Sequence, residues 1–183
     1  SLKRLVFDLT GMKDFEIDGQ GAEFIFHGFL TPFLLQDTEN ICLKNFSIDY
    51  NRTFHSEGKI EAVYKDSMDL SLSSAYPYKI DNNVLIFTDN EKRMYPWSSL
   101  LEFDPVRKET AYKVVDYWCG PNTPVKELKP GLIRLYHKGI EGTKGNIMAF
   151  AASHRLVPAF IVTNSNNLDF LHLNIYHCGG MGI

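Results

Sequence analysis

Four side chains with chemistry to offer fall inside or just beyond short apolar stretches: Glu23, Asp49, Arg52 and His177. Two carboxylic acids are what general acid–base hydrolysis asks for, one to give a proton and one to take it. An arginine can hold a hydroxyl-bearing or acidic group through its fork of N–H donors. A histidine beside an aromatic can offer a ring face and a polar edge to the same ligand. Glu23 and Asp49 stand 26 residues apart. They read either as a stacked carboxylate pair or as two exposed surface acids. Arg52, in "DYNRTF", either touches a ligand or braces the chain where the pattern changes. His177 falls where Tyr50 falls in the repeat described below, so the two are expected to stack, as a ligand platform or as a plain corner.

Other reactive side chains are less promising. Cys178 follows His177 directly, and neighbours on a strand face opposite ways. With only three cysteines and no CxxC pair, neither a metal site nor a disulfide framework is expected. His137 and His154 close apolar runs and are expected to be surface polar groups. Trp97 and Trp118 either bind carbohydrate or fill a core.

The elements that must position these groups are strands. The chain holds 13 Phe and 9 Tyr, with β-branched residues in short runs broken by Asn, Gly and Asp. "NICLKNFSIDY" (Asn40–Tyr50) and "NLDFLHLNIYH" (Asn167–His177) are versions of one segment. Ile41 matches Leu168, Leu43 matches Phe170, Phe46 matches Leu173 and Ile48 matches Ile175. A third copy, "DFEIDGQGAEF", puts Phe15 and Ile17 in the places of Ile41 and Leu43. Such repeats fit a right-handed parallel β-helix whose coils stack at about 4.8 Å. The first two copies are 26 residues apart and the last two 127. The excess is a small domain, so residues 1–54 and 156–183 are expected to form neighbouring coils interrupted by an insertion at 55–155.

The insertion reads as an antiparallel β-barrel or sandwich of six or seven strands. Asn82-Asn83 lies between two apolar runs, a hairpin signal. "GKIEAVY" and "SMDLSLSS" flank a Lys-Asp turn, and "LLEFDPVRKETAYKV" alternates around a proline turn. The stretch "YWCGPNTPVKELKPG" (Tyr117–Gly131), with three prolines, reads as a loop.

Bulk properties narrow the partners. Hydrophobic residues make up 44% and charged residues 22%, and the net charge is −3. No basic surface argues for nucleic acid, and no apolar run is long enough for a membrane-spanning helix. The closing "IYHCGGMGI" (Ile175–Ile183) reads as the interior of a longer repetitive fold. A coil edge left bare along Leu168–His177 would then be expected to self-associate.

Taken in order, "FEIDGQGAEFIFHGFLTPFLL", "ICLKNFSIDYNRTF", "LLEFDP" and "HCGGMG" resemble glycoside hydrolase family 110. These are bacterial α-galactosidases that remove terminal α-1,3-linked galactose, as in blood-group-B-type glycans. The resemblance implies a β-helix with an inserted barrel and inverting hydrolysis without metal or cofactor. It also implies a galactose-terminated glycan as partner and a periplasmic or secreted parent protein. It places the catalytic carboxylates in later coils, leaving Asp49, Arg52 and His177 as candidate substrate contacts. Inverting enzymes separate their two carboxyl groups by about 6.5–9.5 Å. An aligned Glu23–Asp49 pair at one coil spacing would be too close, whereas a diagonal offset gives about 8 Å. Three readings follow: part of an exo-acting α-galactosidase inactive alone, a non-catalytic carbohydrate-binding or adhesin-type module, or a structural segment.

Overall fold

The structure is a computed structural model of the chain and describes residues 4–120, 122–153 and 157–183. His154 lies outside the described residues. Among the described residues every regular element is a strand. The chain divides into two compact units, one of Ser1–Thr53 with Arg155–Ile183, the other of Phe54–His154.

The first unit holds two three-stranded parallel sheets. One pairs β1 (Leu5–Asp8), β3 (Thr31–Gln36) and β16 (Phe160–Thr163). The other pairs β2 (Lys13–Phe26), β4 (Glu39–Tyr50) and β17 (Asn166–Ile175). The middle strand comes second in sequence in both sheets, so each sheet adds its strands in chain order. The register is that of the repeat: Leu168, Phe170, Leu173 and Ile175 lie beside Ile41, Leu43, Phe46 and Ile48. Phe15 and Ile17 flank Ile41 and Leu43 on the other side.

Alternation decides which residues form the core. Ile41, Leu43, Phe46, Ile48 and Tyr50 of β4 are buried, and the residues between them face outward. Phe7, Phe33 and Phe160 share one register position on β1, β3 and β16. Their rings stack at 4.7 and 4.9 Å, nearly parallel at 14° and 13°, which is the spacing of the strands themselves. Phe33, in the middle, is fully buried.

Left-handed residues stand at one position near the start of all three strands of the second sheet, and their side chains tie the strands together. Asp14, Asn40 and Asn167 all have φ between 51° and 54°. Asn40 donates to Asp14 at 2.7 Å, and Asn167 donates to Asn40. Asn and Asp tolerate this conformation best among residues with a side chain. The Asn167/Asn40/Asp14 column therefore fixes the corner and the vertical register at once.

The second unit is antiparallel. Its main sheet runs β11 (Glu109–Thr110), β10 (Trp97–Asp104), β15 (Ile147–Ala152), β5 (Ser56–Tyr64), β6 (Ser67–Leu72), β14 (Leu132–Tyr136), β13 (Val125–Lys129), with β12 (Tyr117–Trp118) also on β10. A smaller sheet joins β7 (Tyr78–Asp81), β8 (Val84–Thr88) and β9 (Met94–Tyr95). The β7–β8 hairpin turns on Asn82 and Asn83, both at positive φ. Phe150 anchors the core, edge-on to Phe87 at 4.9 Å and to Trp97 at 5.0 Å. Arg134 and Asp69 form a two-pronged ion pair at 2.6 and 2.8 Å between β14 and β6, with the guanidinium 4.4 Å from the Tyr64 ring centre.

Two expectations for this unit need correction. Its strands number more than six or seven, because short edge pieces such as β9, β11 and β12 carry too few residues to show a period. The stretch Tyr117–Gly131 is not all loop. Val125–Lys129 pairs with β14, and its prolines at 124 and 130 flank the strand, where they cost no ladder hydrogen bond.

Candidate functional site

The outer face of the β2–β4–β17 sheet is the polar one, and a local irregularity opens a groove in it. Between Asp18 and Ala22, β2 places Gly19, Gln20 and Gly21 where β4 has only Asn45 between Lys44 and Phe46. β17 likewise has only His172 between Leu171 and Leu173. The two extra residues bulge out, with Gln20 and Gly21 at φ 53° and 85°. Gly19 stays close to β4: a Cβ there would lie 2.6 Å from the Phe46 Cβ and 2.9 Å from the Asn45 carbonyl. The sequence "DGQG" is thus a bulge with a glycine that presses on the neighbouring strand and another that supplies the left-handed turn.

The resulting groove, about 480 Å³, is lined by Asp18, Gln20, Asn45, Ser47, His172 and Asn174 among others. Asp18, Asn45 and His172 form a bonded row across the three strands. Asn45 Nδ2 donates to Asp18 Oδ1 at 3.0 Å, and His172 Nδ1 lies 3.2 Å from Asn45 Oδ1. The Asn45 amide, the Gln20 backbone N–H and the nearby Lys44 ammonium hold the Asp18 carboxyl below its usual range. It is a fixed acceptor at neutral pH, suited to a hydroxyl donor. Lys44 also pairs with Glu16 at 2.9 Å, which raises its own pKa.

The bulge corrects the expected placement of the two carboxylates. Beyond it, the offset between β2 and β4 is no longer 26 residues, so Glu23 pairs with Ser47, and Asp49 pairs with Ile25. Glu23 and Asp49 therefore lie on a diagonal, one strand over and two residues along, a backbone separation of about 8 Å. Asp49 Oδ1 accepts from the Tyr50 N–H at 2.7 Å and lies 2.8 Å from His177 Nδ1.

His177 does not stack on Tyr50. β17 ends at Ile175, and His177 adopts φ 49°, leaving the ladder and meeting Asp49 instead. Tyr50 points inward, buried against Phe26, with its hydroxyl donating to the Leu30 carbonyl. Burial pushes this phenol well above its usual range. Arg52 is buried and its Nη1 donates to the Thr53 carbonyl. The structure thus brings Asp49 and His177 together and turns Arg52 onto backbone.

The remaining candidates separate cleanly. Trp97 is buried in the second unit and donates from Nε1 to the Leu85 carbonyl, whereas Trp118 is 78% exposed. Burial raises the Cys42 and Cys119 thiols, so neither is a ready thiolate. Cys178 donates from Sγ to the Gly180 carbonyl at 3.3 Å. Among the described residues no group of three metal-ligating side chains converges. The sequence reading missed Asp18, Asn45 and His172. The signal for them was the "DGQG" insertion itself, set against the single Asn45 and the single His172 in the sister repeats.

Comparison with known proteins agrees with this layout. The model of the family described as GLAA-B beta-barrel domain I matches residues 56–148, about half of the chain. Alpha-1,3-galactosidase A of Shewanella woodyi is 37% identical over the whole chain, which spans 31% of that protein. Alpha-1,3-galactosidase B of Bacteroides thetaiotaomicron is 29% identical over 99% of the chain, and that of Akkermansia muciniphila 31% identical over 96%. The chain spans less than a third of the length of each of these relatives. On the strength of the match across the second unit, this chain belongs to the GLAA-B β-barrel domain I family.

Proposed function

We propose that this chain is a segment of an exo-acting, inverting glycoside hydrolase that removes terminal α-1,3-linked galactose, with blood-group-B-type glycans as substrates. The observation that carries this reading is the 37% identity, over the whole chain, to a protein named alpha-1,3-galactosidase A. In this reading the first unit is a stretch of right-handed parallel β-helix interrupted by the barrel, and the groove on its outer face lies along the glycan path. Asp49 and His177 contact the sugar, and Arg52, bonded to Thr53, positions the backbone that follows Asp49. The working site lies outside the cytoplasm.

The chain alone is inactive in this reading, because it spans only 31% of the Shewanella woodyi relative and the catalytic carboxylates are expected in the part of such a protein that it does not match. The test is an assay of galactose release from a B-type trisaccharide, with the Shewanella woodyi relative as reference. Release by the relative and none by the 183-residue chain is expected. Turnover by the chain that vanishes in both Asp49→Asn and Glu23→Gln would place the chemistry on the diagonal carboxylates instead and overturn the claim of inactivity.

A further inference from the structure

The second unit has a groove of its own, lined by none of the residues of the first groove. It is about 490 Å³ and lies where the β7 hairpin meets the turn between β13 and β14, lined by Tyr76, Pro77, Tyr78, Lys79, Glu127 and Gly131 among others. Its floor is a bonded knot. The Tyr78 hydroxyl donates to Glu127 Oε1 at 2.6 Å and accepts from the Gly131 N–H at 2.9 Å. These contacts join positions 49 and 53 residues apart, so the groove is set by the fold and not by a local turn. Tyr76 closes a turn by donating its N–H to the Ser73 carbonyl at 3.0 Å.

We propose that this groove is a saccharide-binding site of the barrel unit, with Tyr76 offering its ring to the apolar face of a neutral sugar and Glu127 accepting from the sugar hydroxyls.

Three features favour a neutral, hydroxyl-rich ligand. Glu127 and Lys79 bring opposite charges to the same groove, so neither an anion nor a cation gains from the field there. The Tyr78 hydroxyl donates its proton to Glu127 Oε1, which orients the carboxylate, and a carboxylate held by one donor keeps acceptor capacity for the hydroxyls of a ligand. Tyrosine and proline supply the flat apolar surface against which the C–H face of a pyranose packs. The volume is within the range of small-molecule sites. Only the choice of sugar rests on the galactosidase reading.

The test is an NMR titration of the ¹⁵N-labelled 183-residue chain with α-1,3-galactobiose. Saturable shifts are expected at the amides of Ser74, Lys79 and Gly131. Tyr76→Ala is expected to weaken the apparent affinity about two- to tenfold, the scale of one lost ring contact. Glu127→Gln, at an exposed position, keeps the fold and is expected to weaken it severalfold. Asp18→Asn, on the other unit, is expected to leave these shifts unchanged. Shifts confined to Asp18, Asn45 and His172, or no saturable shift at all, would overturn the proposal. Failure of the galactosidase reading would appear separately, as absent galactose release by the Shewanella woodyi relative with these shifts intact.

Discussion

His177 Nδ1 sits 2.8 Å from Asp49 Oδ1, across 128 residues of sequence. The pair lies at one end of the parallel sheet, with Asp49 the penultimate residue of β4 and His177 two residues past the end of β17. Both partners reach solvent, with side-chain exposures of 53% and 23%. An exposed pair of this kind contributes little, so His177→Ala is expected to change unfolding free energy by less than about 1 kcal/mol. The same substitution in a galactose-releasing full-length homologue is expected to raise KM. Loss of more than about 2 kcal/mol in chemical denaturation would make the histidine a structural brace instead.

The two bulge glycines are expected to differ in how substitution harms them. Gly19→Ala places a Cβ against the Phe46 Cβ and the Asn45 carbonyl, neither of which is the far end of a flexible chain. It should cost more than about 2 kcal/mol and widen β2 from β4. Gly21→Ala meets nothing within 4 Å but sits at φ 85°, so it should cost about 1 kcal/mol from backbone strain alone. Thermal melts of the two variants decide this, and equal losses would count against a close contact at Gly19.

The Asp69–Arg134 pair ties stability to acid. The Arg134 guanidinium, through its two hydrogen bonds, holds the Asp69 carboxyl below its usual range despite the opposing effect of burial. A carboxyl depressed in the folded state stabilises above its unfolded pKa of about 3.9 and loses that contribution as pH falls through the folded value. Asp69→Asn should therefore cost about 2 kcal/mol at neutral pH. The gap from the parent chain should narrow below about pH 4. Urea unfolding across this range reads it out, and a gap that widens on acidification would contradict the assignment.

Self-association is expected through the outer edge of β17. Among the described residues this strand pairs only with β4. Its inward residues Leu168, Phe170, Leu173 and Ile175 remain half-exposed, while their neighbours Ile41, Leu43, Phe46 and Ile48 are buried. An unpaired edge flanked by apolar side chains recruits other strands. Light scattering should show concentration-dependent association, reduced by Leu171→Lys on the same strand. A monomer at all concentrations would exclude this edge as a contact.

Much of this fold is legible in the residues because two patterns are local. Alternation at period two marks Ile41 and Leu43 as inward, left-handed Asn45 shifts the phase by one residue so that Phe46 and Ile48 also face in, and the repeat puts Leu168, Phe170, Leu173 and Ile175 beside them. The hairpin at Asn82-Asn83 follows from the ease with which asparagine adopts positive φ. What only the tertiary structure decided is where side chains from different strands meet. Two additional residues in "DGQG" shift every later pairing of β2, which moves Glu23 from beside Asp49 to its diagonal. A left-handed residue at the end of β17 swings His177 from Tyr50 to Asp49. Tyr78 finds Glu127, and Trp97 is buried while Trp118 is exposed, for the same reason. Residue type and spacing fix which face of a strand a side chain occupies, but its partner depends on the register of strands far apart in the chain, and a single bulge or turn resets that register.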